Sequence, residues 1–378
     1  MTRTVIAGYA RSPFTLAKKG ELSIVRPDDL AAQVLSALVA KTGVNPADIE
    51  DVILGCAFPE GEQGFNVARL ASLLAGLPKS LGGVTVNRFC GSSMSSIHIA
   101  AGSIALGAGD VFLCGGVESM SRVPMMGFNP LPSPELYAKM PEAYMGMGET
   151  AENVANTWQI SRKEQEEFAL RSQQRAVAAQ AAGKFKDEII PIKSRKGEVT
   201  QDGCPRPETT LEGLAELKPA FDAQGTVTAG TSSPLTDGAS AVLVCSEEYA
   251  KAKGLDILAV VKSVAVCGCG PEIMGIGPVG ATRKALERAG LEASQLDVVE
   301  LNEAFASQSL ACIRELGLSP DQVNIDGGAI ALGHPLGATG ARIVGKAASL
   351  LLREKGKYAL ATQCIGGGQG IATILEAV

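Results

Sequence analysis

Aromatic residues are scarce in this sequence, at 4% of 378 positions with a single Trp. Its core cannot rest on stacked rings and must come from Ala, Val, Ile, Leu and Gly, which suits close packing of helices on sheets. Histidine is scarcer still, with His98 and His334 the two in the chain, so any imidazole chemistry falls on one of them. The nine cysteines include no Cys-x-x-Cys pair, and Cys267 and Cys269 stand two apart. That spacing fits neither a disulfide framework nor a zinc site, so reduced thiols and no bound metal are expected. A basic field is missing too: the formal charge is −6, which argues against nucleic acid as the main partner. No secretory core follows Met1. The one uncharged run long enough for a bilayer, Gly91 to Gly109, is rich in Ser and Gly and contains His98. It reads as a buried helix of a soluble, cytoplasmic protein rather than a membrane span.

What is present is an alternation of strand-like and helical segments, the pattern of an α/β fold, in a chain long enough for more than one unit. In the first half, Asp28 to Ala40 predicts a helix, Asp51 to Cys56 and Val84 to Asn87 strands, Gly91 to Gly107 a helix, and Asp110 to Cys114 a strand. The second half repeats this order with Pro278 to Ala289 helical, Leu296 to Leu301 and Val323 to Ile325 extended, a helix from Gly337, and Tyr358 to Thr362 extended. Val52 precedes Cys90 by 38 residues and Val298 precedes His334 by 36, so the spacing puts Cys90 and His334 at matching points of two duplicated units. Between the halves, Ser119 to Glu142 is rich in Met and Pro, Glu149 to Gly183 reads as a charged, exposed helical region, and Lys184 to Lys218 as a basic loop. An insertion of this length is expected to cover a functional face.

Three segments carry chemistry. Cys90 lies between a strand and a helix N-terminus, where the macrodipole favours a thiolate. The helix after it has no charge before Asp110, which predicts burial on all faces. A general base is the natural partner of such a thiol, but His98 lies eight residues on, roughly 12 Å along one helix and beyond hydrogen-bond reach. His334 sits in a stretch with glycines at 327, 328, 333, 337 and 340, and would meet Cys90 if the halves pack about a pseudo-twofold axis. The third segment is Cys364-Ile-Gly-Gly-Gly-Gln-Gly. Too little chain remains before Val378 for a dinucleotide-binding βαβ unit, so a second thiol beside a loop of backbone N–H groups better suits an oxyanion site and a proton shuttle.

Together, Val-Asn-Arg-Phe-Cys90-Gly-Ser-Ser, Thr228-Ala-Gly-Thr-Ser-Ser-Pro-Leu-Thr-Asp-Gly-Ala239, Asn302-Glu-Ala-Phe305, Gly-Gly-Ala-Ile-Ala-Leu-Gly-His334-Pro-Leu-Gly and Cys364-Ile-Gly-Gly-Gly resemble the motifs of the thiolases, in order and along the whole chain. Cys-Gly-Ser-Ser-Met and Arg206-Pro-Glu-Thr-Thr are similar in wording to the degradative 3-ketoacyl-CoA thiolases more than to the biosynthetic acetoacetyl-CoA enzymes. The chain departs from the biosynthetic pattern at Gly146-Met147-Gly148, where that branch carries His before Met-Gly, and at Thr231, where Asn is usual.

The resemblance implies a five-layered αβαβα fold from two duplicated halves, residues 1–118 with 236–257 and residues 258–378, plus an inserted CoA-binding loop domain at 119–235. It implies that Cys90 carries the acyl group, that His334 activates it, and that Cys364 protonates the leaving acetyl-CoA carbanion and deprotonates the incoming CoA. Asn302, through a water, and His334 would form one oxyanion hole, and the N–H groups of Cys90 and Gly366 the other. CoA contacts would fall on Arg206, Ser233 and Phe305, with CoA as co-substrate and no tightly bound cofactor. The partners implied are 3-ketoacyl-CoA and acetyl-CoA, a homodimer or homotetramer, and for degradative members a hydratase/dehydrogenase subunit. Met125, Met126, Met140, Met145 and Met147 lie where an acyl channel would be lined. Acetoacetyl-CoA synthesis and a non-catalytic acyl-CoA or lipid carrier are the alternatives. A ketoacyl synthase would need two histidines near the nucleophile, and His334 alone is placed for it.

Overall fold

A computed structural model describes residues 2–378. The first half runs β1 (Thr4–Arg11), β2 (Thr15–Leu16), α1 (Pro27–Thr42), β3 (Asp51–Gly55), α2 (Val67–Leu74), β4 (Val84–Val86), α3 (Ser92–Ala105) and β5 (Val111–Ser119). An excursion follows with α4 (Pro134–Lys139), α5 (Met147–Thr157), α6 (Arg162–Ala181), the hairpin of β6 (Ile192–Ser194) and β7 (Gly197–Val199), and α7 (Leu211–Ala215). The chain then rejoins the core in β8 (Thr236–Ser246) and α8 (Glu247–Lys253). The second half runs β9 (Ala259–Gly268), α9 (Gly277–Ala289), β10 (Val298–Leu301), α10 (Ala306–Leu316), α11 (Ala329–Leu332), α12 (Leu336–Glu354), β11 (Tyr358–Ile365) and β12 (Gln369–Glu376).

The strands line up as β10-β11-β12-β9-β1-β8-β5-β3-β4. Read outward from the centre, β1-β8-β5-β3 matches β9-β12-β11-β10, so the duplication is written in the topology. The halves join through two antiparallel residue pairs, Val5 with Val260 and Ile6 with Ala259. Side-chain alternation with period two then sorts the core into three clusters. Val5, Val52, Leu54, Leu113 and Leu243 face α1 and α2. Val299, Leu301, Leu360 and Ile374 face α9 and α10. Ile6, Ile53, Cys114, Val244, Ala359 and Ala361 face inward onto α3 and α12, with Met94, Ile97, Ile343 and Val344 between the half-sheets. Helix, sheet, paired central helices, sheet, helix: the architecture is the five-layered αβαβα arrangement.

Three details depart from expectation. Helix α3 is buried at its start, but Ile99 is 43% and Leu106 87% exposed, so it is not enclosed on all faces. Its missing charges leave an apolar outer stripe beside the edge strand β4, where Val84 is also exposed. Val323 to Ile325 is not a strand but a single bridge from Val323 to Val299. There Asn324 turns left-handed at φ 49°, and its side chain replaces the ladder by bonding both the N–H and the C=O of Leu301 at 2.9 and 2.8 Å. The charged region from 149 to 183 is two helices broken around Trp158 to Ser161, and α6 buries Phe168, Ala169, Ser172, Gln173 and Ala176. Cys267 lies in β9, and Cys269 just past its end.

The excursion is tied to both halves by a buried ionic chain. Arg11 on β1 pairs with Asp202 at 2.7 Å and with Glu188 at 2.9 Å. Lys346 on α12 joins Glu188 at 3.1 Å to Asp326 at 2.9 Å. Each member lies at 5% exposure or less, so each charge depends on its partners for solvation.

Candidate active site

Cys90 sits two residues before α3, and His334 two residues before α12. The Cys90 turn is held by Ser92, whose hydroxyl donates to the Phe89 carbonyl at 2.6 Å and accepts from the Arg88 N–H at 2.9 Å. Phe89 is left-handed at φ 43°, an uncommon state for an aromatic residue and a mark of a turn fixed by its surroundings. The other half uses Gly333 at φ 97° for the matching turn. The His334 N–H donates there to Thr236 Oγ1 at 3.0 Å.

The two helix starts lie against each other. The Ala341 N–H donates to Ser93 Oγ at 2.9 Å, and a Cβ on Gly340 would run into the backbone of Met94. Only glycine permits that approach. Glu118, at the end of β5, ties the α12 start to the segment after β3. Its carboxylate accepts from the N–H groups of Ala57 at 2.8 Å and Gly337 at 2.9 Å, and from Gln63 Nε2 at 2.9 Å.

The end of β11 arrives from the second half. Gln363 donates its amide to the Cys90 carbonyl, and Gly366 faces Met147 and the Phe89 ring. Burial pushes the Cys90 thiol up to about 12, while the N–H groups of Gly366 and of Cys90 itself act in the opposite direction. The expected thiolate therefore does not describe the resting site, because loss of solvation outweighs the favourable backbone dipoles. Cys364 is pushed up well above the usual thiol range, first by burial and next by Cys90. Both thiols thus rest neutral.

Asn302 and His334 form the other wall. Asn302 Nδ2 lies 3.3 Å from His334 Nε2, and His334 Nδ1 lies 2.6 Å from Thr339 Oγ1. His334 is buried and pushed down to about 4 by that burial, so it rests as neutral imidazole. Asn302 Oδ1 is buried without a hydrogen-bond partner, the kind of atom a bound water satisfies. Among the described residues the Cys90 sulfur makes no hydrogen bond to the His334 ring, whose Nε2 faces Asn302 instead. His98 points elsewhere, to Thr373 Oγ1 at 2.9 Å.

Of the expected CoA contacts, Ser233 and Phe305 come together. The Ser233 N–H donates to the Ala304 carbonyl at 3.0 Å, and Phe305 shares an apolar cluster with Cys364, Ala151, Met274 and Met147. Arg206 is exposed on the excursion, with its N–H on Gln173 Oε1 at 2.8 Å. Phe221, which the sequence reading passed over, meets Phe305 edge-on with centroids 6.0 Å apart and is 46% exposed. Thr339, Gln363 and Glu118 were also passed over. Of these, only Thr339 carried a local signal, being one turn into the helix that His334 precedes.

Comparisons with known proteins bear on the whole chain. Residues 4–248 match the family model described as thiolase, N-terminal domain, and residues 255–377 the one described as thiolase, C-terminal domain. Proteins named 3-ketoacyl-CoA thiolase align over 100% of this chain and of their own length, at 52% identity in Vibrio cholerae and 48% in Bacillus subtilis. One from Shewanella loihica is 50% identical over the same full coverage. With both halves matched and full-length relatives near half identity, the chain belongs to the thiolase family.

Proposed function

We propose that this protein is an acyltransferase that cleaves 3-ketoacyl-CoA with CoA, giving acetyl-CoA and an acyl-CoA shortened by two carbons. The observation that carries the reading is the convergence of β11 on Cys90, with Cys364 electrostatically coupled to it and the Gly366 N–H acting on its sulfur. The relatives' printed names and the family membership support the same substrate class.

In the first step the Cys90 thiol gives its proton to His334, and the sulfur attacks the 3-keto carbon. The N–H groups of Cys90 and Gly366 hold the alkoxide that forms. Breaking the bond between carbons 2 and 3 leaves an acyl thioester on Cys90 and the enolate of acetyl-CoA. Its oxygen is stabilised by protonated His334 and by a water on Asn302, and Cys364 supplies the proton that turns carbon 2 into methyl. The Cys364 thiolate then takes the proton of the incoming CoA thiol. CoA sulfur displaces Cys90 from the acyl group, and the Cys90 thiolate recovers its proton from His334. The resting neutrality of both thiols and of the imidazole fits this order, since charge need arise only where a donor awaits it. Loss of one such donor typically costs about 3–4 kcal/mol of transition-state stabilisation.

Ser233, Phe305 and Phe221 would flank the pantetheine arm, and the exposed Arg206 the phosphorylated end. Met147 would stand between the arm and the thiols, as its place beside Gly366 and Phe305 supports. The chain would divide at the boundaries expected above, and would work in the cytoplasm as a homodimer or homotetramer built on the apolar edge of β4 and α3. Among the described residues no helix is long and apolar enough to cross a membrane. The test is CoA-dependent loss of 3-ketoacyl-CoA over a series of chain lengths, with acyl-Cys90 sought by mass spectrometry when CoA is withheld. Cys90→Ser is expected to lower turnover by about 10³-fold or more. Activity confined to four carbons would favour the biosynthetic alternative, and binding with no adduct a carrier.

A further inference from the structure

We propose that the Thr339 hydroxyl is a positioning group that locks His334 in the tautomer with its proton on Nδ1, leaving the Nε2 lone pair on the Asn302 side of the ring. This rests on the reading of His334 as the base, and assigns a role to a residue outside the expected catalytic set.

The hydrogen-bond ledger around the ring has few solutions. On one side, Asn302 presents its amide Nδ2 to His334 Nε2 at 3.3 Å. An amide nitrogen has no acceptor capacity, so Nε2 must be the lone-pair side of the ring. The ring proton then belongs on Nδ1, where Thr339 Oγ1 waits at 2.6 Å as acceptor. Thr339 sends its own proton one turn back, to the Pro335 carbonyl at 3.2 Å. The resulting chain runs in one direction, from the ring N–H through the hydroxyl to the carbonyl. His334 and Pro335 lead directly into α12 and Thr339 lies in its first turn, so the ring, its acceptor and the final carbonyl move as one piece.

The ring's backbone is fixed independently. The His334 N–H donates to Thr236 Oγ1, which in turn donates to the Pro234 carbonyl at 2.6 Å. The ring is therefore pinned at its peptide by the first half and at Nδ1 by its own helix, leaving Nε2, beside Asn302, as the nitrogen able to take a proton. A hydroxyl suits this place better than a carboxylate. It accepts the Nδ1 proton without adding a charge, and so leaves the buried imidazole neutral until a thiol proton reaches it. When His334 becomes imidazolium, the same acceptor continues to hold the Nδ1 proton, and the second proton occupies Nε2, facing the enolate oxygen.

The chain's two histidines make the test direct. In protein labelled with ¹⁵N-histidine, His98→Gln leaves His334 as the single imidazole, and long-range ¹⁵N–¹H correlation reports which ring nitrogen carries the proton. The expected result is a pyrrole-type Nδ1 and a pyridine-type Nε2 in the otherwise wild-type chain. Proton on Nε2 would overturn the proposal, whatever the enzyme's activity. Thr339→Val, close in shape, should lose the single-tautomer signature and slow alkylation of Cys90 by iodoacetamide about 10-fold, while Thr339→Ser should restore both. An unchanged ring signature in Thr339→Val would equally overturn it. Failure of the thiolase reading would appear separately, as no CoA-dependent cleavage of 3-ketoacyl-CoA by a protein whose His334 still shows the proton on Nδ1.

Discussion

Cys90 and His334 illustrate how a residue's chemistry is set by where its chain turns. The macrodipole argument for a thiolate at Cys90 was sound locally but lost to burial, which raises the thiol to about 12. For His334 the same burial has the opposite sign, lowering its basicity to about 4. The kcat/KM profile should therefore hold steady from pH 7 to pH 5 and fall only as pH nears 4, instead of breaking near the ordinary imidazole value of about 6.5. A break at the ordinary value would show that the ring is solvated in the free enzyme. Stability follows the same group. Unfolded histidine takes a proton as pH drops below about 6.5, whereas folded His334 and His98 resist it down to about 4 and about 3. Folding stability from these rings is thus intact above pH 6.5 and is lost progressively below it. His98→Gln should flatten the decline, saving about 1–2 kcal/mol by pH 5 in urea titrations. Both catalytic candidates were legible as residues because thiols and imidazoles beside glycine-rich turns are rare. Gln363 and Thr339 were not, since their roles exist only through a contact made after folding.

At the scale of elements, the duplicated order of strands and helices could be read from hydrophobic period and spacing, and the strand sequence of the sheet bears it out. The failures are instructive. Val323 to Ile325 has the composition of a strand, yet Asn324 diverts its backbone and substitutes side-chain hydrogen bonds. Helix α3 has the composition of a fully buried helix, yet its far half faces outward. Local sequence specifies how apolar a surface is, not what will cover it. The seating of the α12 start on the turn after β3 depends on Glu118, which no local pattern announces. In Glu118→Gln one acceptor is replaced by an NH₂ aimed at backbone donors, and each unmatched buried group costs about 1–3 kcal/mol. The expected result is a lower urea midpoint with an unchanged slope, together with slower alkylation of Cys90. Retained stability would mean that the clamp is not needed to seat the α12 start.

For the whole molecule, the ionic chain from Arg11 to Asp326 links the excursion to both halves, and its strength lies in pairing rather than in charge. Lys346→Met would leave Glu188 with Arg11 alone and Asp326 with Lys184 and Arg353, so the loss should be part of the ~3–5 kcal/mol typical of breaking a buried pair outright. Urea unfolding should show that loss; a change below 1 kcal/mol, on the order of an exposed pair, would place the network in solvent. The apolar edge formed by Val84, Ile99 and Leu106 is expected to be covered by a second copy. Val84→Lys should reduce the light-scattering mass to that of a single chain, because a charged side chain on an exposed edge strand blocks edge pairing.

The sequence by itself determined the layer order, the two turns that bear Cys90 and His334, and the family, because periodicity, glycine placement and motif wording are local properties of the chain. Only the tertiary structure decided the protonation states, the partners of the imidazole, the meeting of Phe221 with Phe305, and the clamp at Glu118. Desolvation and hydrogen-bond pairing depend on what packs against a group, and here that neighbour comes from a segment up to 281 residues away, as with Arg88 and Gln369.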